Sequence, residues 1–175
     1  MSFTPIETER LRLREWRESD LDPMWRMQSD LEWMRYMGGT PLTRPEAWRV
    51  IAVFMGHQTM RGYTHWALEE KDTGEFVGRV GPWLPEGWPQ LEIGWGILRE
   101  RWGRGYAVEA ARAAAAWVHR ELGVNEVCHL IQDENTKSAR VAEKLGATRG
   151  EPFTMPFPGG AEVNIWRSSL PLLES

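Results

Sequence analysis

Trp102-Gly103-Arg104-Gly105-Tyr106-Ala107 is a glycine-rich turn between a strand-like run, 90–98, and an unbroken alanine-rich helical stretch, 106–122. A turn of this kind gathers backbone N–H groups that have no intrahelical partner and sets them at the positive end of the helix dipole. It is an anion site, and phosphate is the usual occupant. Two familiar phosphate motifs do not fit. The P-loop needs a lysine followed by a hydroxyl residue, which this turn lacks, and the dinucleotide fingerprint needs a third glycine where Val108 stands.

The run behind the turn has two unlike faces. Alternation puts Leu91, Ile93, Trp95 and Ile97 on a core face and Gln90, Glu92, Gly94 and Gly96 on the other. Neighbouring glycines on one face weaken a strand and mark a close approach by something else. One expectation is a flat ligand along that lane, with the Glu92 carboxylate at one end and the anion-binding turn at the other. The alternative is that the glycines make room for a neighbouring helix and Glu92 is a solvated strand residue.

The bulk properties narrow the function classes. A chain of 175 residues is read as one domain, 1–175. A net charge of −4 with dispersed basic residues argues against a nucleic-acid or membrane-surface partner. The single cysteine, Cys128, excludes an intrachain disulfide and fits a reducing cytoplasm. The first residues carry no signal-peptide pattern, and no apolar run approaches the ~18 residues of a membrane span. His57, His65, His119 and His129 show no metal-ligand spacing, so no metal is expected.

Along the chain, 8–16 reads as a strand with Leu11 and Leu13 facing away from Arg10, Arg12 and Arg14. Ser19-Asp20 starts a helical stretch to about 36, and the capping box Thr43-Arg44-Pro45-Glu46 starts another to about 60. Strands follow at 65–70 and 76–80, then a Pro/Gly-rich connection, 81–89, then the strand before the turn. After the long helix come a strand at 124–132, a helix at 135–145, and strands at 153–155 and 163–168 around Pro158-Gly159-Gly160. This order suits an α+β domain with a mixed sheet rather than a doubly wound one.

Together these segments resemble the GNAT superfamily of acyl-CoA-dependent N-acetyltransferases, in the branch of the ribosomal-protein N-terminal acetyltransferases (RimJ/RimL-like). The resemblance rests on Thr8–Arg14, Thr73-Gly74-Glu75, Gly94-Trp95, Trp102–Ala110 and Asn135–Ala147, and spans nearly the whole chain. It implies a mixed, mostly antiparallel sheet of about seven strands flanked by about four helices. The family's phosphate loop is written Arg/Gln-x-x-Gly-x-Gly/Ala; Gly105 and Ala107 take its last two places, and Trp102 departs from the first. That departure moves the contacts onto backbone N–H groups.

The resemblance further implies acetyl-CoA as co-substrate. Ile97, Leu98 and Arg99 would bond the pantetheine arm through their backbone, while Trp102, Gly103, Arg104, Gly105, Tyr106 and Ala107 cradle the pyrophosphate. Asn135 would bond the pantetheine amide, and Ser138 would protonate the leaving thiolate. The plainer alternative makes Asn135 a helix N-cap and Ser138 a core hydroxyl. Glu92 is the candidate base, acting on a primary amine directly or through a water in a ternary complex. The acceptor, a protein N-terminus or a small amine, and a homodimer are left open. A non-catalytic acyl-CoA-binding regulatory module is the alternative from another class.

Overall fold

Leucines at 11 and 13 alternate with arginines at 12 and 14, and this pattern sorts the faces of a sheet whose two sides are both covered. The computed structural model describes residues 4–157 and 159–172. Its strands are β1 (Ile6–Glu7), β2 (Leu11–Arg14), β3 (Trp66–Glu70), β4 (Phe76–Trp83), β5 (Glu92–Ile97), β6 (Glu126–Ile131), β7 (Thr148–Thr154) and β8 (Glu162–Ser169). They form one sheet in the order β1-β2-β3-β4-β5-β6-β8-β7. Every pair is antiparallel except β5 with β6. The helices are α1 (Leu21–Gln28), α2 (Leu31–Met34), α3 (Arg44–Arg61), α4 (Tyr106–Leu122) and α5 (Thr136–Lys144).

The alanine face of α4 covers one side of the sheet: Ala110, Ala111 and Ala114 pack with Leu11, Leu13, Leu68 and Ile93 in a core of fully buried side chains. Small residues let that helix lie close to the strands. On the other side, α1, α2 and α3 bring Met24, Met27, Trp33 and Phe54 onto Ala67, Phe76 and Leu98.

The described residues hold eight strands and five α-helices, in keeping with the expected sheet of about seven strands flanked by about four helices, and the local differences have local reasons. The 8–16 run begins in a turn that folds it back on Ile6–Glu7, because Thr8 N–H donates to Leu11 O (2.9 Å) and Leu11 N–H to Thr8 Oγ1 (2.9 Å). The 19–36 stretch breaks at Asp30, whose carboxylate caps the N–H groups of Glu32 (2.9 Å) and Trp33 (3.3 Å). The 81–89 connection gives up its first three residues to β4, which pairs to Trp83. Pro82 is tolerated there because its missing N–H faces beyond the last paired residue of β3. The final hairpin begins at Thr148, with a bulge between Arg149 and Pro152; Pro158 in its turn lies outside the described residues.

The arginine face of β2 is ion-paired, and its Arg14 end is buried. Arg14 donates to Asp20 through both Nη1 and Nη2 (2.8 Å each) and to Glu69 through Nε (2.6 Å), with all three residues buried. Arg12 (2.8 Å) and Arg17 (3.2 Å) also reach Glu69. This cluster ties β2 and β3 to the turn that launches α1.

Candidate active site

The parallel pairing of β5 with β6 is a single register pair, Glu92 with Cys128. Past it the strands splay. His129 fills the first gap: its Nδ1–H donates to Ile93 O (2.8 Å), and Ser168 Oγ donates to its Nε2 (3.0 Å). Burial lowers His129 to about 4, so the ring is neutral and carries one proton. Beyond it opens a groove of about 480 Å³, walled by the end of β5, the glycine turn, the start of α5 and the segment from Trp33 to Met37.

At the groove's mouth Gly103 (φ +77°) and Gly105 (φ +82°) take left-handed conformations, and no side chain caps α4. The first-turn N–H groups of that helix are thereby left for an anion. The turn is held from behind. Arg10 donates to Arg104 O (2.9 Å) and pairs with Glu109 (2.6 Å), while Glu70 accepts from Tyr106 Oη and from Arg101 (3.1 Å). The Tyr106 hydroxyl, ahead of the opposing burial, holds the Glu70 carboxyl below its ordinary value. Trp102 forms a post in the wall, with its indole donating to Ile97 O (2.8 Å) and Lys137 Nζ lying 4.0 Å from its ring centre.

The groove brings together Ile97, Trp102, Gly103, Gly105, Tyr106, Ala107, Asn135 and Ser138. Leu98, Arg99, Arg104 and Glu92 do not line it. The backbone contact expected at 97–99 has few free groups. Ile97 O already accepts from the indoles of Trp33 (3.0 Å) and Trp102 (2.8 Å). Leu98 donates to Val77 O (2.9 Å), accepts from Arg101 N–H (2.9 Å) and has a buried side chain. The Arg99 carbonyl accepts from Trp102 N–H (3.1 Å) and its exposed guanidinium pairs with Asp30 (3.2 Å). Strand alternation leaves the Trp95 backbone and Ile97 N–H pointing into the splay. Trp95, read from sequence as core, is partly buried in the groove wall against His129.

Asn135 is an N-cap, its Oδ1 accepting Ser138 N–H (3.2 Å), which leaves its amide N–H₂ for a ligand. Ser138 is partly buried beside Val141 in the groove wall, whereas Ala142 and Leu145 behind them are buried. Ser138 thus stands in the groove wall rather than among the fully buried residues.

The glycine lane is not bare, which corrects the expectation of a ligand lying along it. A Cβ on Gly94 would stand 2.8 Å from His65 Nε2, and one on Gly96 would stand 2.7 Å from Trp33 Cζ2. The glycines admit two side chains of this chain, one of them from a helix. Glu92, at the other end of β5 about 16 Å from Ile97 along the strand, accepts from the Trp88 indole (2.7 Å) and is partly buried. Burial raises its carboxyl above the ordinary value, against the opposing pull of Trp88, the Leu130 backbone and Arg79. Cys128 beside it is fully buried, and burial pushes its thiol far up, so it is no nucleophile.

Sequence reasoning missed Trp33, His65 and Arg79. They come from three separate segments, and only folding stacks them on the two glycines. Among the described residues, no three His, Cys, Asp or Glu side chains group as a metal site. No helix there is long and apolar enough to cross a membrane.

Residues 10–148 match the family model described as Acetyltransferase (GNAT) domain. The uncharacterized protein YkkB of Bacillus subtilis (strain 168) is 35% identical over 149 residues, covering 82% of this chain and 84% of that one. The uncharacterized N-acetyltransferase YoaA of the same organism is 30% identical over 147 residues, 82% of each. The crystal structure of an acetyltransferase from Agrobacterium tumefaciens str. C58 has a TM-score of 0.82 at 28% identity, covering 95% of each chain. A splayed sheet with an uncapped, glycine-led helix at its mouth agrees with a family match that takes in most of the sequence, and the chain belongs to the GNAT family of acyl-CoA-dependent acetyltransferases.

Proposed function

We propose that this enzyme moves an acetyl group from acetyl-CoA to a primary amine, on a protein N-terminus or a small molecule, by direct attack within a ternary complex. Its proposed branch is that of the ribosomal-protein N-terminal acetyltransferases, on the motifs at 8–14, 73–75, 94–95, 102–110 and 135–147. The carrying observation is the uncapped, two-glycine start of α4 opening onto a groove walled by Asn135 and Ser138. These residues suit coenzyme A: N–H groups for a pyrophosphate, a free amide N–H₂ and strand-edge groups for an amide-bearing arm. Acetyl-CoA supplies the activated acyl group.

The chain's own residues supply the rest. Trp95 or Ile97 N–H, fixed by β5, polarises the carbonyl oxygen. Ser138 gives its hydroxyl proton to the departing sulfur. Glu92 takes the amine proton; its place outside the groove favours transfer through a water, and its raised carboxyl makes it a stronger base than an ordinary glutamate. The test is thiol release from acetyl-CoA across a panel of peptides and small amines. Release with none of them, alongside tight acetyl-CoA binding, would return the reading to a binding module.

Ser138→Ala is expected to lower kcat about tenfold or more while the melting temperature stays near that of the parent, since the side chain lies in the groove wall. A loss of stability with kcat unchanged would make the hydroxyl structural. Gly105→Ala places a Cβ on a left-handed residue at a strain of about 1–2 kcal/mol, with Arg10 Nη2 the nearest neighbour at 3.5 Å. The expected result is weaker acetyl-CoA binding by calorimetry with kcat at saturation little changed.

A further inference from the structure

Below Glu92 lie two buried side chains that this chemistry does not use. His65 and Arg79 are each 5% exposed, and Arg79 Nη1 donates to His65 Nδ1. A guanidinium has no acceptor, so Nδ1 must accept and the ring carries its proton on Nε2. Burial first, then the charges of Arg79 and His57, hold His65 well below the usual histidine value, so Nε2–H is its one proton. That Nε2 and Arg79 Nε are buried without a hydrogen-bond partner among the described residues.

Both atoms face the glycines of β5. A Cβ on Gly94 would lie 2.8 Å from His65 Nε2 and 3.6 Å from Glu92 Oε1, and one on Gly96 would lie 3.6 Å from Arg79 Nε. His65 Nε2 and Glu92 Oε1 therefore flank the same glycine, which sets an unpaired imidazole N–H close to the Glu92 carboxylate. Buried polar groups are rarely left unpaired, and a buried arginine needs a negative counterpart.

We propose that His65 and Arg79 are positioning residues for Glu92: Arg79 fixes the imidazole tautomer, and Nε2–H, through one bridging water, orients the ionised carboxylate. The proposal rests on the reading of Glu92 as the base. Other groups facing Glu92 are the Trp88 indole from the preceding loop, and the Leu130 backbone and Cys128 from β6. Cys128 stays protonated and brings no charge. His65 is also faced by His57 and Phe54 from α3 and Trp83 from β4, and Arg79 by the rings of Trp33 and Phe54. Arg79 itself is lowered by burial to about 10, with the Glu92 charge opposing, so it remains a cation at neutral pH.

The test is an NMR titration of the Glu92 carboxyl in protein carrying carboxyl-labelled glutamate, the resonance assigned with Glu92→Gln. Removing a neighbouring cation makes the carboxylate less favourable, so Arg79→Gln is expected to raise the Glu92 midpoint by about one pH unit. Arg79→Lys keeps the charge and leaves the midpoint near its parent value. His65→Leu raises it by a smaller amount, and His65→Gln, whose amide can both accept from Arg79 and donate towards Glu92, restores it. Should Arg79→Gln fail to fold, the two His65 variants decide alone. An unmoved midpoint in the folded variants, or equal shifts with and without the conservative replacement, would overturn the proposal. A fully active Glu92→Gln removes the base reading and leaves the titration standing; an inactive Glu92→Gln with an unmoved midpoint removes the positioning pair alone.

Discussion

Glu92→Gln is expected to lower kcat for acetyl transfer about 100- to 1,000-fold at pH 7, with acetyl-CoA affinity unchanged. Affinity is spared because Glu92 does not line the groove. The rate falls because an amide has no lone pair basic enough to take the amine proton. Burial raises the Glu92 carboxyl above its ordinary value of 4.5. Activity therefore rises with pH as the carboxylate forms, and that acid limb should vanish in the variant.

The same shift fixes the sign of the stability change. A carboxyl whose folded value is raised favours the fold below its unfolded value, and that contribution is lost as pH rises through the folded one. Glutamine resembles the protonated form and keeps an acceptor for Trp88. The variant should then melt no lower than the parent at pH 7, so lost activity cannot be assigned to unfolding. Rate profiles from pH 5.5 to 9 and a melting curve check both halves; an unchanged acid limb would remove Glu92 from the mechanism.

Arg14→Ala should cost about 3–5 kcal/mol of stability at pH 7, read by urea denaturation. The loss comes less from the missing attraction than from what stays behind: Asp20 and Glu69, 2% and 4% exposed, would be left buried with the central cation gone. Burial drives the Glu69 carboxyl up, and hydrogen bonds and charge from Arg14, Arg12 and Arg17 outweigh it, leaving Glu69 below its ordinary value. A lowered carboxylate contributes stability above its unfolded value and loses it as pH falls through the folded one. The gap between parent and variant should accordingly hold steady down to the ordinary glutamate value of 4.5 and narrow as pH drops below it. A gap independent of pH would assign the loss to packing of the arginine stem.

How much of this was legible depended on the range of the interaction. The bounds of α4 stood in the sequence because Gly105 and Gly123 supply left-handed caps at its two ends. The start of α3 was legible in the same way, since Thr43 and Glu46 satisfy each other three residues apart (2.6 Å). Asn135 as a cap is another local fact. Arg14 was not legible. Alternation put it on the polar side of a strand, and nothing near it in sequence says that α1 and α3 cover that side.

The glycines at 94 and 96 mark the boundary between the two kinds of knowledge. The sequence by itself required that something approach β5 closely there, because a strand gives up two side chains on one face only to admit a neighbour. It also determined that the turn at 102–107 presents backbone N–H groups to an anion, since that geometry is built from adjacent residues. Only the tertiary structure decided that the neighbours are Trp33 and His65, that Ile97 O is taken by two indoles, and that Glu92 stands apart from the groove holding Ser138. Apart from the Trp102 indole, five residues from Ile97, those contacts join segments tens of residues apart, and their geometry is set by how helices and sheet pack together rather than by any local preference of the chain.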